Sequence, residues 1–349
     1  TVVFCSVTSA QQEPQYSQYM YNMSTVNPAY ATGQNGLIST GLLYRQQWTG
    51  IEGSPQTANV FANIPMSDKI ELSVNYINDK IGDALPVRND YVYVDFAYIT
   101  RISDQARLSY GLKAGINSLK IDPSNSDVIS DPAFANNTAT TNLNVGAGVY
   151  LFTHNFYAGV STPNLLPSSV DIDGIGVAET KTHIYGILGY VVDISDEVKL
   201  KPSTVIKQVI DSPLTFDFSL NSLLYDKFEL GISYRYTDAF IALAGFNITQ
   251  NLKIGYSYDF SVSDLGNYNN GSHEIILLFN FDLLNFSNTY SSPRFFYMIK
   301  TKITLILTVL ITQLAFSQKK SRADRFFEKG DYINAALQYE EELNQEGYS

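Results

Sequence analysis

The stretch at residues 227–262 constrains the fold of this chain more than any other. Phe228, Leu230, Ile232, Tyr234 and Tyr236 alternate with Lys227, Glu229, Gly231, Ser233 and Arg235. A turn follows, then an apolar-rich run at 240–248. Beyond the turn Thr249-Gln250-Asn251, Leu252, Ile254, Tyr256, Tyr258, Phe260 and Val262 alternate with Lys253, Gly255, Ser257, Asp259 and Ser261. Side chains on a strand point to opposite faces with period two. Each run therefore presents one apolar and aromatic face and one small, polar or charged face. Strands of roughly ten residues are long enough to cross a bilayer when tilted.

The same grammar runs through the chain. Strand-like segments bounded by turn residues fall at 37–46, 56–66, 69–78, 90–102, 107–121, 142–152, 156–161, 182–192, 198–209, 214–224 and 273–283, besides the three above. That makes about fourteen, an even number, as single-chain outer-membrane barrels require. Connections after even-numbered strands are short (67–68, 103–105, 153–155, 193–197, 225–226, 249–251). Most of those after odd-numbered strands are long (47–55, 79–89, 122–141, 162–181, 263–272), with short exceptions at 210–213 and 237–239. Short periplasmic turns and longer extracellular loops are the habit of transmembrane β-barrels. A soluble sandwich or propeller is the competing all-β reading. No blade-length repeat supports it, and tyrosine-rich apolar faces on strand after strand would be costly in water. The expected fold is an all-β, transmembrane antiparallel barrel of the outer membrane, facing outer-membrane lipid.

Composition narrows the function. The 349 residues include 25 Tyr and 20 Phe, only 16% are charged, and the formal charge is −11. Phosphate binding needs clustered Lys and Arg, and the body of the chain has no basic cluster in sequence, so nucleic acid is excluded as a partner. Cys5 is the only cysteine, which leaves no disulfide framework and no thiolate metal site. Residues 1–10 read as the remnant of a secretory signal peptide ending at Thr8-Ser9-Ala10. A lipoprotein reading of Cys5 is disfavoured by bulky Phe4. Residues 11–36 are polar and aromatic without alternation, and are expected to lie in the periplasm or the lumen. The barrel is expected over 37–296.

Nothing points to catalysis. His154, His183 and His273 are far apart, and none is spaced as a zinc ligand would be. Neither a nucleophile elbow nor a phosphate-cradling glycine loop occurs. Asp171-Ile172-Asp173-Gly174 resembles half a calcium loop but lacks the remaining ligands, so an Asx-type turn is preferred. No catalytic, cofactor-binding or metal-binding residue is expected. If the apolar faces meet lipid, then Glu71, Asp95, Lys113, Asp217, Glu229, Arg235, Lys253, Asp259 and Glu274 face the lumen. Their mixed sign suits a lumen crossed by salt bridges and partly filled by loops or by the N-terminal segment. An open diffusion pore is the alternative, although an ion-selective one would more naturally show a single sign. At the outer end of the first strand, Trp48 suits an interfacial girdle and Arg45 a lumen or rim charge. The same segment could instead shape a surface for a partner.

Three motifs together resemble a known family. Asn27-Pro28-Ala29-Tyr30, Arg45-Gln46-Gln47-Trp48-Thr49-Gly50 and Gly53-Ser54-Pro55-Gln56-Thr57 look like the N-terminal signature of PorP/SprF-type proteins, and Ser292-Pro293-Arg294-Phe295-Phe296 looks like their usual end. The resemblance spans residues 11–296. It implies an outer-membrane barrel of the type IX secretion and gliding machinery of Bacteroidota, serving export or surface attachment of a large adhesin with a type IX C-terminal signal. Other secretion components are implied as partners, including an OmpA-like periplasmic protein. It brings no catalytic residues, and makes Asn27, Pro28, Tyr30, Arg45, Gln46, Gln47, Trp48 and Pro55 the candidate partner-binding positions. A channel for small or hydrophobic solutes is the alternative function.

Residues 297–349 break the pattern. Met298-Ile299-Lys300-Thr301-Lys302, an apolar run at 303–316 and Ser317-Gln318 have the layout of a second signal peptide. Ala323, Phe326, Phe327, Gly330, Tyr332, Ala335, Ala336 and Tyr339 then follow spacing similar to the start of a tetratricopeptide repeat. The expectation is a neighbouring reading frame joined on, with a real fusion as the alternative.

Overall fold

The computed structural model describes residues 14–32, 37–83, 86–121, 138–166, 168–172, 175–210, 212–282 and residue 334, with backbone alone for 138, 168–172, 175–180 and 282. The readings of 1–10 and of the tail at 297–349 therefore lie outside the described residues, apart from position 334.

Strands dominate. In chain order they are β1 (Leu37–Gln46), β2 (Gln56–Pro65), β3 (Ile70–Ile81), β4 (Val87–Arg101), β5 (Arg107–Ile121), β6 (Thr138–Phe152), β7 (Phe156–Asn164), β8 (Ser168–Ile172), β9 (Ile175–Thr180), β10 (His183–Tyr190) and β11 (Val192–Asp193). They continue with β12 (Val198–Val209), β13 (Thr215–Leu224), β14 (Phe228–Arg235), β15 (Ala239–Asn247), β16 (Leu252–Ser261) and β17 (Ser272–Asp282). Each barrel strand pairs antiparallel with its sequence neighbours, β10 pairs with both β7 and β12, and β1 pairs with β17. The sheet closes on itself. The short β11 prolongs β10 beyond a break at Val191, so the ring has fourteen strands. Closure removes every sheet edge, which is what a bilayer demands of a spanning sheet.

The alternation sorts the side chains as lipid and lumen require. Along β4, Tyr91, Tyr93, Asp95, Ala97 and Ile99 are buried, while Val92, Val94, Phe96 and Tyr98 are exposed. Exposed Leu112, Leu143, Val160, Phe218, Leu230, Ile232, Phe240 and Phe260 continue that outer apolar belt around the ring. Cross-strand aromatic pairs reinforce it, such as Tyr234–Phe240 and Phe216–Tyr236, each with ring centroids 4.8 Å apart.

One detail differs from the sequence reading. The loop expected at 162–181 contains a hairpin, β8 with β9, in a separate two-stranded sheet. The β13–β14 turn places Tyr225 and Asp226 at φ 54° and 53°, the left-handed conformation that primed hairpin turns need at both central positions. Such turns usually announce themselves with Gly or Asn. Here the right-handed twist of the flanking strands imposes the geometry on Tyr and Asp.

Candidate functional site

The site is the lumen. All nine charges assigned to it from the alternation (Glu71, Asp95, Lys113, Asp217, Glu229, Arg235, Lys253, Asp259 and Glu274) are buried on the inner face. Between them lies the N-terminal segment at 14–32, which contains two short 3-10 turns, Tyr19–Tyr21 and Met23–Thr25. Tyr16, Tyr19, Met20, Met23, Val26, Ala29 and Tyr30 are buried, and form one apolar cluster with inward-facing wall residues such as Leu43, Phe61, Tyr150, Tyr157, Ile276 and Leu278. Fully burying an apolar side chain contributes about 1.5–3 kcal/mol. The segment is thus held by a core of its own. The Tyr19 phenol sits 3.2 Å from the Ser203 hydroxyl.

Near the outer ends of β1, β13, β14, β16 and β17, ionic groups converge on Ser17 and Gln18. Arg45 contacts Asp259 at 2.7 Å and Glu274 at 3.2 Å, and donates to the Ser17 hydroxyl at 2.9 Å. Arg235 pairs with Asp217 at 3.0 Å and Asp259 at 3.4 Å. The two oxygens of Glu274 accept the Ser17 and Gln18 backbone N–H groups at 2.9 and 2.8 Å, and Ser17 Oγ donates to Asp259 at 2.7 Å. An unpaired charge here would be expensive, so each carboxylate is met by a guanidinium, and Asp259 and Glu274 also by donors from the segment. Lower in the barrel, Lys253 pairs with Glu229, which also accepts from Tyr21 OH at 2.5 Å and Asn221 at 2.8 Å. Lys113 pairs with Asp95 at 3.6 Å and donates to the Ser24 carbonyl at 3.2 Å. At the opposite end from Ser17, the Thr32 N–H donates to Glu71 at 2.9 Å just before the chain enters β1. The segment therefore runs from the outer part of the lumen to its periplasmic end, tied at both.

The sequence matches the family model described as "Type IX secretion system membrane protein PorP/SprF" over residues 8–279. The chain belongs to the PorP/SprF family. It is an integral outer-membrane protein and a membrane component of type IX secretion. No curated protein matches it. Among solved structures it is similar to the Ralstonia pickettii toluene transporter TbuX (TM-score 0.47, 8% identity, covering 73% of this chain and 92% of that one). It is also similar to a Pseudomonas aeruginosa FadL homologue (TM-score 0.45, 13% identity, 73% and 91%) and to Acinetobacter baumannii Omp33 (TM-score 0.43, 8% identity, 72% and 100%).

In this PorP/SprF protein the motif residues fall at two places. Asn27, Pro28 and Tyr30 are buried in the lumen segment, pressed against β5–β7. Asn27 Nδ2 donates to the Val149 carbonyl at 3.1 Å, the Val26 carbonyl accepts from Ser161 at 2.8 Å, and Tyr30 meets Tyr150 edge to face at 5.6 Å. Where the backbone and the Asn27 amide come closest, the wall is glycine: a Cβ on Gly111 would overlap the Ala29 backbone, and one on Gly148 would overlap the Asn27 amide. Arg45 is the ionic anchor described above. Gln46 ends β1, and Gln47, Trp48 and Pro55 lie in the outer loop between β1 and β2. There the Gln47 N–H donates to the Pro55 carbonyl at 2.9 Å. Trp48 adopts φ 46° and donates its N–H to Ser272 at 3.0 Å, and Thr49 bonds Gly271 at 2.8 Å, fastening this loop across the β1–β17 seam. Trp48 is half-buried against that loop pair. Ser17, Gln18, Tyr21, Asn22 and Thr32, with Asn75 and Asn221 on the wall, escaped the sequence reading. One signal was available: residues 14–32 contain no charged side chain in a chain that is otherwise acidic.

Proposed function

We propose that this barrel aids export or surface attachment of a large secreted adhesin bearing a type IX C-terminal signal. It acts without catalysis, by binding the exported protein with its outer loops and barrel mouth. An OmpA-like periplasmic protein and other secretion components are the proposed partners on the inner side. The observation that carries the reading is the lumen segment: residues 14–32 are buried and hydrogen-bonded to both ends of the barrel wall. A solute path would have to displace an apolar cluster and its ionic anchors. Recognition then falls to the outer rim.

Deleting the gene and comparing surface proteins by mass spectrometry tests this. The expected result is selective loss of one or a few large proteins with type IX C-terminal signals, reproduced by trimming 122–141. An unchanged surface proteome, together with a stable open conductance of the purified barrel in planar bilayers, would replace docking with a channel for small or hydrophobic solutes.

A further inference from the structure

The outer face of the barrel carries one polar feature that the lumen reading does not use. On β3, β4 and β5 the even-numbered residues point outward, and Lys80, Arg88 and Lys120 are exposed members of that set. The strand register pairs Lys80 with Arg88, and Arg88 with Lys120. Three cations therefore stand side by side on adjacent strands about 4.8 Å apart, a row roughly 10 Å long. They line one cleft of about 710 Å³ together with Gly53, Ser54 and Gln56. Among the described residues they are the only Lys or Arg on the outer face of the strands at the loop end. In a chain of net charge −11 that concentration is not a solvated average.

Height decides what they meet. Ile102, Tyr98, Phe96, Val94 and Val92 are exposed along the outer face of β4 and its end. At about 3.3 Å per residue and roughly 40° tilt, the ten residues from Ile102 to Val92 span about 25 Å, the height of the apolar band of such barrels. Tyr76, beside Val92 in the register, sits where a girdle aromatic belongs. Arg88 lies four residues further, about 10 Å beyond the band and level with headgroups. Two acids temper the row. Asp90 pairs with Arg88 at 3.0 Å, and Asp83 lines the cleft; neither Lys80 nor Lys120 has an ion pair among the described residues.

We propose that Lys80, Arg88 and Lys120 form a binding site for the phosphate groups of the anionic glycolipid (lipopolysaccharide) of the outer leaflet. Asp90 holds the Arg88 guanidinium in place, and the two lysines supply mobile donors that reach along the surface. The site clamps one lipid to the β3–β5 wall, beside the part of the ring that cradles Asn27-Pro28-Ala29.

The test uses the full chain purified from outer membranes. Bound glycolipid is quantified by mass spectrometry, and affinity is measured by thermal shift with bisphosphorylated lipid A, dephosphorylated lipid A and inorganic phosphate. Bisphosphorylated lipid A is expected to bind and to raise the melting temperature. The dephosphorylated lipid and free phosphate should not. At about fivefold per cation, the triple variant K80Q/R88Q/K120Q loses on the order of 100-fold in affinity and most of its co-purified lipid. The control R101Q/K199Q, at the periplasmic end, leaves both unchanged. Heat-modifiable migration of each variant on gels separates loss of the site from loss of the barrel, and K80R/K120R should retain binding if the triple variant does not fold. Equal binding of dephosphorylated lipid A, binding of free phosphate alone, or undiminished binding by a folded triple variant would each overturn the assignment. These readouts do not depend on secretion, so they stand or fall separately from the adhesin reading.

Discussion

Arg45→Ala is the most informative single perturbation. The guanidinium is 1% exposed and sits between Asp259 (2.7 Å) and Glu274 (3.2 Å) while donating to Ser17. Removing one partner of a buried ion pair costs about 3–5 kcal/mol, because the remaining charge stays desolvated. The lower end applies here. Asp259 keeps Arg235 at 3.4 Å and the Ser17 hydroxyl at 2.7 Å, and Glu274 keeps two backbone N–H donors, so a loss of about 3 kcal/mol is expected. The variant leaves Asp217 and Asp259 with Arg235 and strips Glu274 of the guanidinium it pairs with. Adding Glu274→Gln removes the surplus charge and should restore about 1–2 kcal/mol, making the double variant more stable than the single one. Urea unfolding in lipid vesicles can be followed through Trp48, the sole tryptophan, three positions along the same chain. Chymotrypsin gives an independent reading: residues 14–32 hold Tyr16, Tyr19, Tyr21 and Tyr30 and no Lys or Arg, so chymotrypsin and not trypsin reports release of the segment. A single variant within about 1 kcal/mol of wild type, or an E274Q change that only adds to the loss, would refute the idea that Arg45 anchors the segment.

Other consequences follow from the same geometry. Gly111→Val should expel Asn27-Pro28-Ala29 from the wall and raise chymotrypsin cleavage of the segment, whereas Gly186→Ala, whose Cβ would meet nothing nearer than Ile206 Cβ at 3.8 Å, should change neither cleavage nor stability. Leu112→Arg places a charge on the lipid face near mid-height and should cost about 2–4 kcal/mol in vesicle unfolding; a cost below about 1 kcal/mol would mean that this face does not meet hydrocarbon. Deleting residues 14–32 should convert a non-conducting barrel into one with stable single-channel steps, and equal conductance before and after deletion would show that the segment does not close the lumen. Mass spectrometry of the native protein should yield no peptide spanning 296–302 if the tail is a separate reading frame.

Most of the barrel was legible because lipid outside and polar neighbours inside impose period two on every strand. Leu37–Gln46, Arg107–Ile121 and Val198–Val209 match the sequence reading residue for residue, and other boundaries shift by a few positions. The β8–β9 hairpin was hidden because it stands in its own small sheet, free of the lipid-facing alternation, and its Asp171–Gly174 region reads as a turn. The lumen was legible in outline only. Alternation assigns Glu229 and Glu274 to the inner face but cannot say that one accepts from Tyr21 and the other from Ser17, more than 200 positions away.

That long-range pairing also changes what the family motifs mean physically. Asn27 and Arg45 are separated by the entry into β1, yet both fix the same segment, one through an amide against glycines of the wall and the other through a guanidinium between two carboxylates. Trp48, three positions past Arg45, fastens the outer loop to Ser272, two positions before Glu274. The latch on the lumen segment and the seam between the first and last strands thus share β1 and β17. Packed elements of this kind shift between discrete arrangements rather than deform smoothly. Trp48 and Ser272, which tie the outer loop, thus stand three and two positions from Arg45 and Glu274, which hold Ser17 and Gln18.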